Sequence, residues 1–242
     1  MRYIVFGMGR VGQNILHYLR AMGHDAEGVD ILETPEELQR CQEIVESVDC
    51  VIATIPDSLL QSWYDEWHPL IGDKPAIHHS GAMVIEGMTS FHPLYSFPNA
   101  VLDVEVLKSI AFAVSGEGPE FADVFHGFPN PTFVVKTEDR ARYHALAVLS
   151  GNFASYLWNQ TAGGFSEFSD GDVAAIMSPY LNSVLERFCE SPYDSLTGPV
   201  ARRDIKSAQS NLRGLEADEK LRELYRAFLA SAWPEFDAPN DD

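Results

Sequence analysis

"FGMGRVGQNI", residues 6–15, decides the fold. The residues before it read as a strand, Arg2–Phe6, with Tyr3, Ile4 and Val5 apolar, and Arg10–Ala21 after it read as a helix. Gly7, Gly9 and Gly12 thus form a G-x-G-x-x-G loop between a strand and a helix, the setting in which that short pattern gains meaning. Gly7 permits a tight turn, Gly9 lets backbone approach a pyrophosphate, and Gly12 lets the helix pack closely on the strand. The helix start adds free N–H groups and the positive end of a dipole. Gly7, Met8, Gly9, Arg10, Val11 and Gly12 are therefore the candidate cofactor-binding residues, the alternative being a tight turn with no ligand.

Asp30 ends the second strand, Ala26–Asp30, eighteen residues beyond Gly12, close to the ~20 expected of a carboxylate that takes the adenosine ribose hydroxyls. No Arg or Lys lies between Asp30 and Gln39 to receive a 2′-phosphate. The cofactor expected is NAD or NADP, with NAD favoured by Asp30. The alternative is a strand end facing water. Thr34-Pro35-Glu36-Glu37 is a capping box with proline at the first helical position, opening a helix that runs to about Ser47. "DCVIATIP" reads as a buried strand closed by Pro56, and loops at such strand ends line the ligand crevice of an open α/β sheet. Thr54, Ile55 and Pro56 join the cofactor candidates on that ground.

"PAIHHS" is a further short strand, and alternation of this kind predicts a doubly wound parallel sheet of Rossmann type with helices on both faces. From Gly87 to Lys136 short apolar strands follow, "SIAFAVSG" and "PTFVVK" the clearest. After Glu138 only helices are read: Arg140–Thr161, Asp172–Glu190, Val200–Leu212 and Asp218–Trp233. The expected division is a Rossmann-like domain over 1–137 and an all-helical substrate or dimerisation domain over 138–242. The acidic end, "PEFDAPNDD", is expected to fray.

With 45% hydrophobic residues and 11% aromatics the chain can bury a core. Lys+Arg of 17 against Asp+Glu of 36 gives 17 − 36 = −19. That balance excludes a nucleic-acid binder and a polybasic membrane contact, both of which rest on basic residues. Cys41, Cys50 and Cys189 are odd in number and show no C-x-x-C spacing, which fits buried thiols in a reducing cytoplasm better than a disulfide framework. Met1 leads straight into a strand, so no signal peptide is expected, and no apolar run approaches the ~20 residues of a membrane span. No spacing of His, Cys and carboxylates suggests a metal site.

"FGMGRVGQ", "VIATIPD", "HHSGAM", "FHPLYSFP", "YHALAVLSGNF" and "LTGPVARRD" occur in that order. Together they resemble a bacterial family with a Rossmann-like N-terminal domain and a helical C-terminal domain of unknown function. That family is related to ketopantoate reductase, pyrroline-carboxylate reductase and the β-hydroxyacid dehydrogenases. The resemblance spans roughly residues 2–230 and implies an NAD(P)-dependent reductase, with ketopantoate, a precursor of pantothenate, as the best single substrate. It also implies that the loops holding Ser80 and His92 line the site, and that the helical domain pairs in a homodimer. This chain departs from the family in having Arg203 where a glycine is usual, and in ending strand two with an acid where NADP-binding relatives carry arginine. The dehydrogenases place a lysine one turn before a substrate-binding asparagine, whereas Val148 stands four before Asn152 here.

Reduction of a carbonyl needs a donor beside the developing oxyanion. His79 and His92 end or follow short strands and are the candidate acids, each with the alternative of a structural ring bonded to backbone; alternation points His78 the other way. On the helix, His144, Val148, Gly151, Asn152 and Ser155 fall on one face by steps of three and four, a polar stripe on an apolar helix. Asn152 would orient the substrate there, with His144 beside it; close helix packing is the alternative. "SLTGPVARRD" enters a helix, and Thr197, Gly198 and the Arg202 guanidinium would suit a substrate carboxylate. The expected partner is a small anionic keto or imino acid. An imine reductase of pyrroline-carboxylate type, or a non-catalytic nucleotide-binding Rossmann protein, remain the competing readings.

Overall fold

The computed structural model describes residues 1–30, 32–168 and 171–236. Strands β1 (Arg2–Phe6), β2 (Asp25–Val29), β3 (Cys50–Ala53), β4 (Ala76–His78), β5 (Thr89–Pro93), β6 (Phe112–Ser115) and β7 (Thr132–Val134) form one sheet in the order β2-β1-β3-β4-β5-β6-β7. The first five run parallel; β6 pairs with β5 antiparallel, and β7 follows β6. The expected parallel sheet thus holds up to β5, and the proline- and glycine-punctuated segment supplies two strands of opposite direction. Chain order reverses between β1 and β3, which opens the crevice where α/β sheets take ligands.

The continuous apolar runs are explained by burial on both faces. Tyr3, Val5 and Ile52 face one core, with Phe91, Phe112, Phe121 and Phe125, while Ile4, Phe6 and Val51 face another, with Cys41 and Trp67. Alternate residues of one strand serve opposite layers. Helix α1 (Arg10–Ala21) covers the first layer; α2 (Pro35–Ser47) and α3 (Asp57–Ile71) cover the second. The Thr34 capping box is formed as expected, with Glu37 N–H donating to Thr34 Oγ1 at 3.2 Å. The sequence reading stopped at Pro56 and did not name α3, whose Leu60, Tyr64, Trp67 and Ile71 bury one face by helical steps. Short helices α4 (Val104–Ser109) and α5 (Phe121–Val124) connect the later strands.

The chain divides into two compact units, Met1–Asn152 and Phe153–Asp242. The division falls beyond the composition change at 137 because α6 (Arg140–Ala147) is tied to the sheet: Arg140 is 2% exposed and donates to the Ser80 carbonyl, and Tyr143 meets His92. Residues Val148–Phe153 follow as a π-helical stretch. Such a turn takes more residues than an α-turn, so the regular face expected for His144, Val148, Gly151, Asn152 and Ser155 does not persist through it.

The second unit contains α7 (Ala154–Glu167), α8 (Val173–Glu190), α9 (Gly198–Ala201), α10 (Ile205–Gly214) and α11 (Glu219–Ala232). Val200, Ala208, Leu212, Leu229 and Trp233 form its core. Asp172, Asp204 and Asp218 cap α8, α10 and α11 through the N–H groups of Ala175, Ser207 and Leu221. The helix expected over Val200–Leu212 is broken at Arg202-Arg203-Asp204, since Arg203 adopts φ +57° and Asp204 starts a new helix. A left-handed backbone of this kind is one that glycine adopts without strain, which fits the departure noted at Arg203 in the resemblance. Here the Arg203 guanidinium lies 5.3 Å from the Trp233 ring centre and donates to the Ala232 carbonyl at 3.2 Å, contacts that offset the strain. The acidic end expected to fray lies largely outside the described residues.

At Gly12 a Cβ would overlap the Gly7 carbonyl and the Thr54 hydroxyl. Gly12→Ala should therefore lower stability by about 2 kcal/mol or more, read as a drop in the urea midpoint; an unchanged midpoint would show that α1 can slide away.

Candidate functional site

Two clusters stand at the carboxyl ends of the first unit's parallel strands. The first surrounds the glycine loop. Gly7 takes φ +88°, its N–H donates to Val29 at 2.7 Å, and the Thr54 hydroxyl is shared between the carbonyls of Phe6 (2.9 Å) and Gly7 (2.6 Å). Gly9 is the N-cap of α1, with no side-chain cap and nothing within 4 Å of the place of a Cβ. The first-turn N–H groups of α1 have no intrahelical acceptor and no side-chain cap. Beside them is a cavity of about 870 Å³ lined by Gly7, Met8, Gly9, Asp30, Thr54, Ile55 and Pro56, with Leu32, Leu38, Leu59, Trp63 and Trp67 as its apolar part. Of the loop residues predicted, Arg10 is exposed at the helix start, Val11 packs on the core, and Gly12 sits under Gly7.

Asp30 follows β2 directly, and its carboxylate accepts the Met8 N–H at 3.2 Å, so it is anchored at the rim of the cavity. Glu33 and Glu66 line the same cavity, and no Lys or Arg is among its lining residues. A dinucleotide fits these groups: free N–H groups for phosphate, a carboxylate for ribose hydroxyls, and indole and leucine surfaces for an adenine ring.

The second cluster gathers around Gly81, just past β4. His92 lies within β5, and its Nδ1 is 2.6 Å from the Tyr143 hydroxyl. A Cβ on Gly81 would lie 2.9 Å from His92 Nε2 and 2.6 Å from His144 Cδ2. The His92 and His144 rings meet edge to face at 6.3 Å. Ser80 shapes the turn, its Oγ accepting the N–H groups of Ala82 (3.2 Å) and Met83 (3.0 Å), while its carbonyl takes Ser90 Oγ and Arg140 Nη2. Arg140 Nε and Nη1 are buried without a partner, as is His78 Nδ1. His79 turns to the opposite layer: its Nδ1 donates to the Phe91 carbonyl and its ring packs on Phe112. It is His78, not His79, that shares a face with Ser90 and lines a cavity of about 420 Å³ on that side of the sheet.

Ser80 and His92, expected at strand ends, and His144, expected on a helix face with Asn152, come together around Gly81; Arg140 and Tyr143 beside them were not among the expected residues. Tyr143 stood inside a quoted motif; nothing in the periodicity marked Arg140 for burial. Asn152 is exposed at the end of the π-helical stretch. In the second unit Thr197 accepts from Arg187 Nη1 at 2.9 Å, Gly198 takes φ +82°, and Arg202 is exposed where α9 ends. Among the described residues no group of His, Cys, Asp and Glu is arranged to hold a metal ion, and no helix is long and apolar enough to cross a membrane.

Residues 113–232 match the model of a family described as a domain of unknown function, DUF2520. The resemblance drawn from the six motifs is met by this match and by the fold's neighbours. A protein of Bacteroides fragilis assigned as an NADP oxidoreductase is 19% identical, with a TM-score of 0.71 over 96% of this chain and 97% of the other. A Thermotoga maritima protein is also 19% identical, with a TM-score of 0.70 over 95% and 96%. Plasmodium falciparum pyrroline carboxylate reductase, solved with NADP bound, is 12% identical with a TM-score of 0.63 over 96% and 95%. At such identities the likeness is one of fold. No curated protein matches the sequence.

Burial pushes the imidazoles of His78 down to about 3 and of His79 and His92 down to about 4; the Arg140 charge adds to the effect on His78 and His92. The unfolded chain therefore binds more protons between about pH 4 and 6.5, and stability present above that window is lost as pH falls through it. Urea unfolding should show a loss of about 2 kcal/mol or more between pH 7 and 5. A flat profile would mean that water reaches these rings.

Proposed function

We propose that the chain is an NAD(P)-dependent reductase of a small keto or imino acid. The observation that carries this is the uncapped start of α1, whose N-cap Gly9 lines one cavity with Asp30 at the place where strand order reverses. An acidic protein needs such a local electropositive point to take an anionic dinucleotide. Gly7, Met8, Gly9, Arg10, Val11 and Gly12 would hold the pyrophosphate, and Thr54, Ile55 and Pro56 would lie along the rest of the cofactor. Asp30 would take the ribose hydroxyls; with Glu33 and Glu66 nearby it would repel a 2′-phosphate, which favours NAD. The cofactor, when bound, supplies a hydride to carbon; the protein must position the acceptor and protonate its heteroatom.

His92 would polarise the acceptor's double bond; His79, whose proton is engaged by Phe91, is left the structural role. Asn152 and His144 would orient the substrate and Ser80 would shape its surroundings, while within the second unit Thr197, Gly198 and Arg202 would by themselves suit a carboxylate. Ketopantoate is the first keto acid to test. An imino acid of pyrroline-carboxylate type is the second reading, favoured by Val148 standing where the related dehydrogenases carry lysine, because an imine nitrogen can arrive already protonated. The absence of that lysine is also what a non-catalytic nucleotide-binding protein would show.

A homodimer is supported by α8, where Ile176, Tyr180, Val184 and Phe188 form an exposed stripe at four-residue spacing, 45–63% exposed. Free thiols at Cys41, Cys50 and Cys189 support a reducing, cytoplasmic setting.

Titration of reduced nicotinamide fluorescence should show micromolar binding with NADH preferred over NADPH, and Asp30→Ala should narrow the preference. Binding of neither would overturn the reductase. Light scattering should give about twice the 26.9 kDa chain mass; a monomer would leave the α8 stripe without its partner.

A further inference from the structure

We propose that His92 and Tyr143 form a two-residue proton relay that protonates the reduced substrate, with Arg140 as its positioning residue. The inference rests on the reductase reading for its purpose, but its parts are all residues of this chain. It answers the question left by Val148: without the lysine of the related dehydrogenases, the proton must come from elsewhere.

Strand register brings the pieces together. His78 on β4 lies opposite Ser90 on β5, so Ser80 and Gly81, two and three residues on, come level with His92 at the sheet's carboxyl edge. The His92 ring is held through one nitrogen. Nδ1 meets the Tyr143 hydroxyl at 2.6 Å, and the two rings cross at 80°. Nε2 lies against Gly81, where a Cβ would come within 2.9 Å of it and within 2.6 Å of His144 Cδ2, so only glycine leaves this nitrogen clear of a side chain on the turn. His92 therefore has one nitrogen engaged by a donor-acceptor hydroxyl and the other at the bare turn where β4 ends.

A histidine so placed is not an imidazolium. Burial keeps the ring neutral, and the charge of Arg140 and the neighbouring His79 and His144 act in the same direction. Neutral imidazole has one proton; if Tyr143 donates to Nδ1, that proton is on Nε2 and points at the Gly81 turn. As negative charge develops on the substrate oxygen, the Nε2–H bond breaks and an O–H bond forms, while the Tyr143 O–H bond breaks and an Nδ1–H bond forms. The imidazole ends neutral in its other tautomer, and a phenolate remains to be reprotonated by water. An alkoxide is a much stronger base than a phenolate, so the transfer runs downhill.

Arg140 makes the phenolate tolerable. Its side chain is 2% exposed, Nη2 is bound to the Ser80 carbonyl, and Nε and Nη1 are unpartnered; no ion pair engages it among the described residues. A buried cation with no ion pair at contact range, and only the more distant charge of Asp57 opposing its burial, is costly and stabilises any anion formed beside it. Burial pushes the Tyr143 hydroxyl up, and the Arg140 charge pulls it part of the way back.

The test reads the His92 tautomer directly in the ¹⁵N-labelled full chain, by long-range ¹H–¹⁵N spectra assigned through loss of the signals in His92→Gln. The proposal expects protonated Nε2 and bare Nδ1 from pH 8 down to 5.5, with that preference lost in Tyr143→Phe. Protonated Nδ1 in the wild type, or a tautomer indifferent to Tyr143→Phe, would overturn it. Ultraviolet difference titration against Tyr143→Phe should place the Tyr143 phenol at least one pH unit higher in Arg140→Met and near its wild-type position in Arg140→Lys. An unmoved phenol would take Arg140 out of the relay. Tyr143→Phe should also lower kcat on the accepted substrate at least 30-fold with NADH affinity within twofold. Since the tautomer is read without cofactor, a failed relay with NADH still bound leaves the reductase standing, whereas absent NADH binding removes the reductase itself.

Discussion

One hydroxyl holds the crevice of this protein in shape. Thr54, at the end of β3, shares its Oγ1 between the carbonyls of Phe6 and Gly7 at the end of β1, while the Gly7 N–H is tied to Val29 at the end of β2. Three strand ends are thereby fixed to one another within a few ångströms. Gly12 then brings α1 down onto the same point so closely that a methyl group would not fit. The unfilled N–H groups of the helix start are aimed by this knot. A looser junction would leave the same residues in place with no defined direction for their dipoles.

The second cluster is built on the opposite economy, polar groups placed inside without full compensation. Ser90, His78 and Arg140 lie on a sheet face that a purely structural protein would fill with valine or leucine. The guanidinium fixes the Ser80 carbonyl and so the turn at Gly81, and the neighbouring imidazoles stay uncharged because burial and that cation both disfavour a second positive charge. Strain of this electrostatic kind costs stability and is retained where a site needs its proton carriers preset.

The sheet was legible because each early element carries its own local signal. Tyr3–Phe6 and Cys50–Ala53 are apolar on both faces, the Thr34 box opens α2, and Gly7, Gly9 and Gly12 stand at the spacing a close turn demands. Where the outcome depended on distant contacts the reading shifted. The direction of β6 and β7 depends on which edge their partner offers, which no periodicity encodes. The π-helical stretch at 148–153 keeps an α-like composition, so the face assigned to Asn152 was displaced without any mark in the residues. Arg203 has no intrinsic claim to a left-handed backbone; it is held there by Trp233, thirty positions away. His78 and His79 were sorted correctly to opposite faces, but which face met α6 depended on Arg140, read from sequence as an ordinary helix start.

The acid lining of the larger cavity has an effect that reaches beyond selectivity. Asp30, Glu33 and Glu66 place part of the chain's −19 at the cavity itself, so an anionic ligand approaches against repulsion and is held only at contact range. Added salt shortens the reach of that repulsion to about 8 Å at physiological ionic strength and leaves buried hydrogen bonds almost untouched. Capture of such a ligand here gains from salt where capture by a basic protein loses. The working affinity of this site is thus tied to the ionic strength of the compartment that holds it.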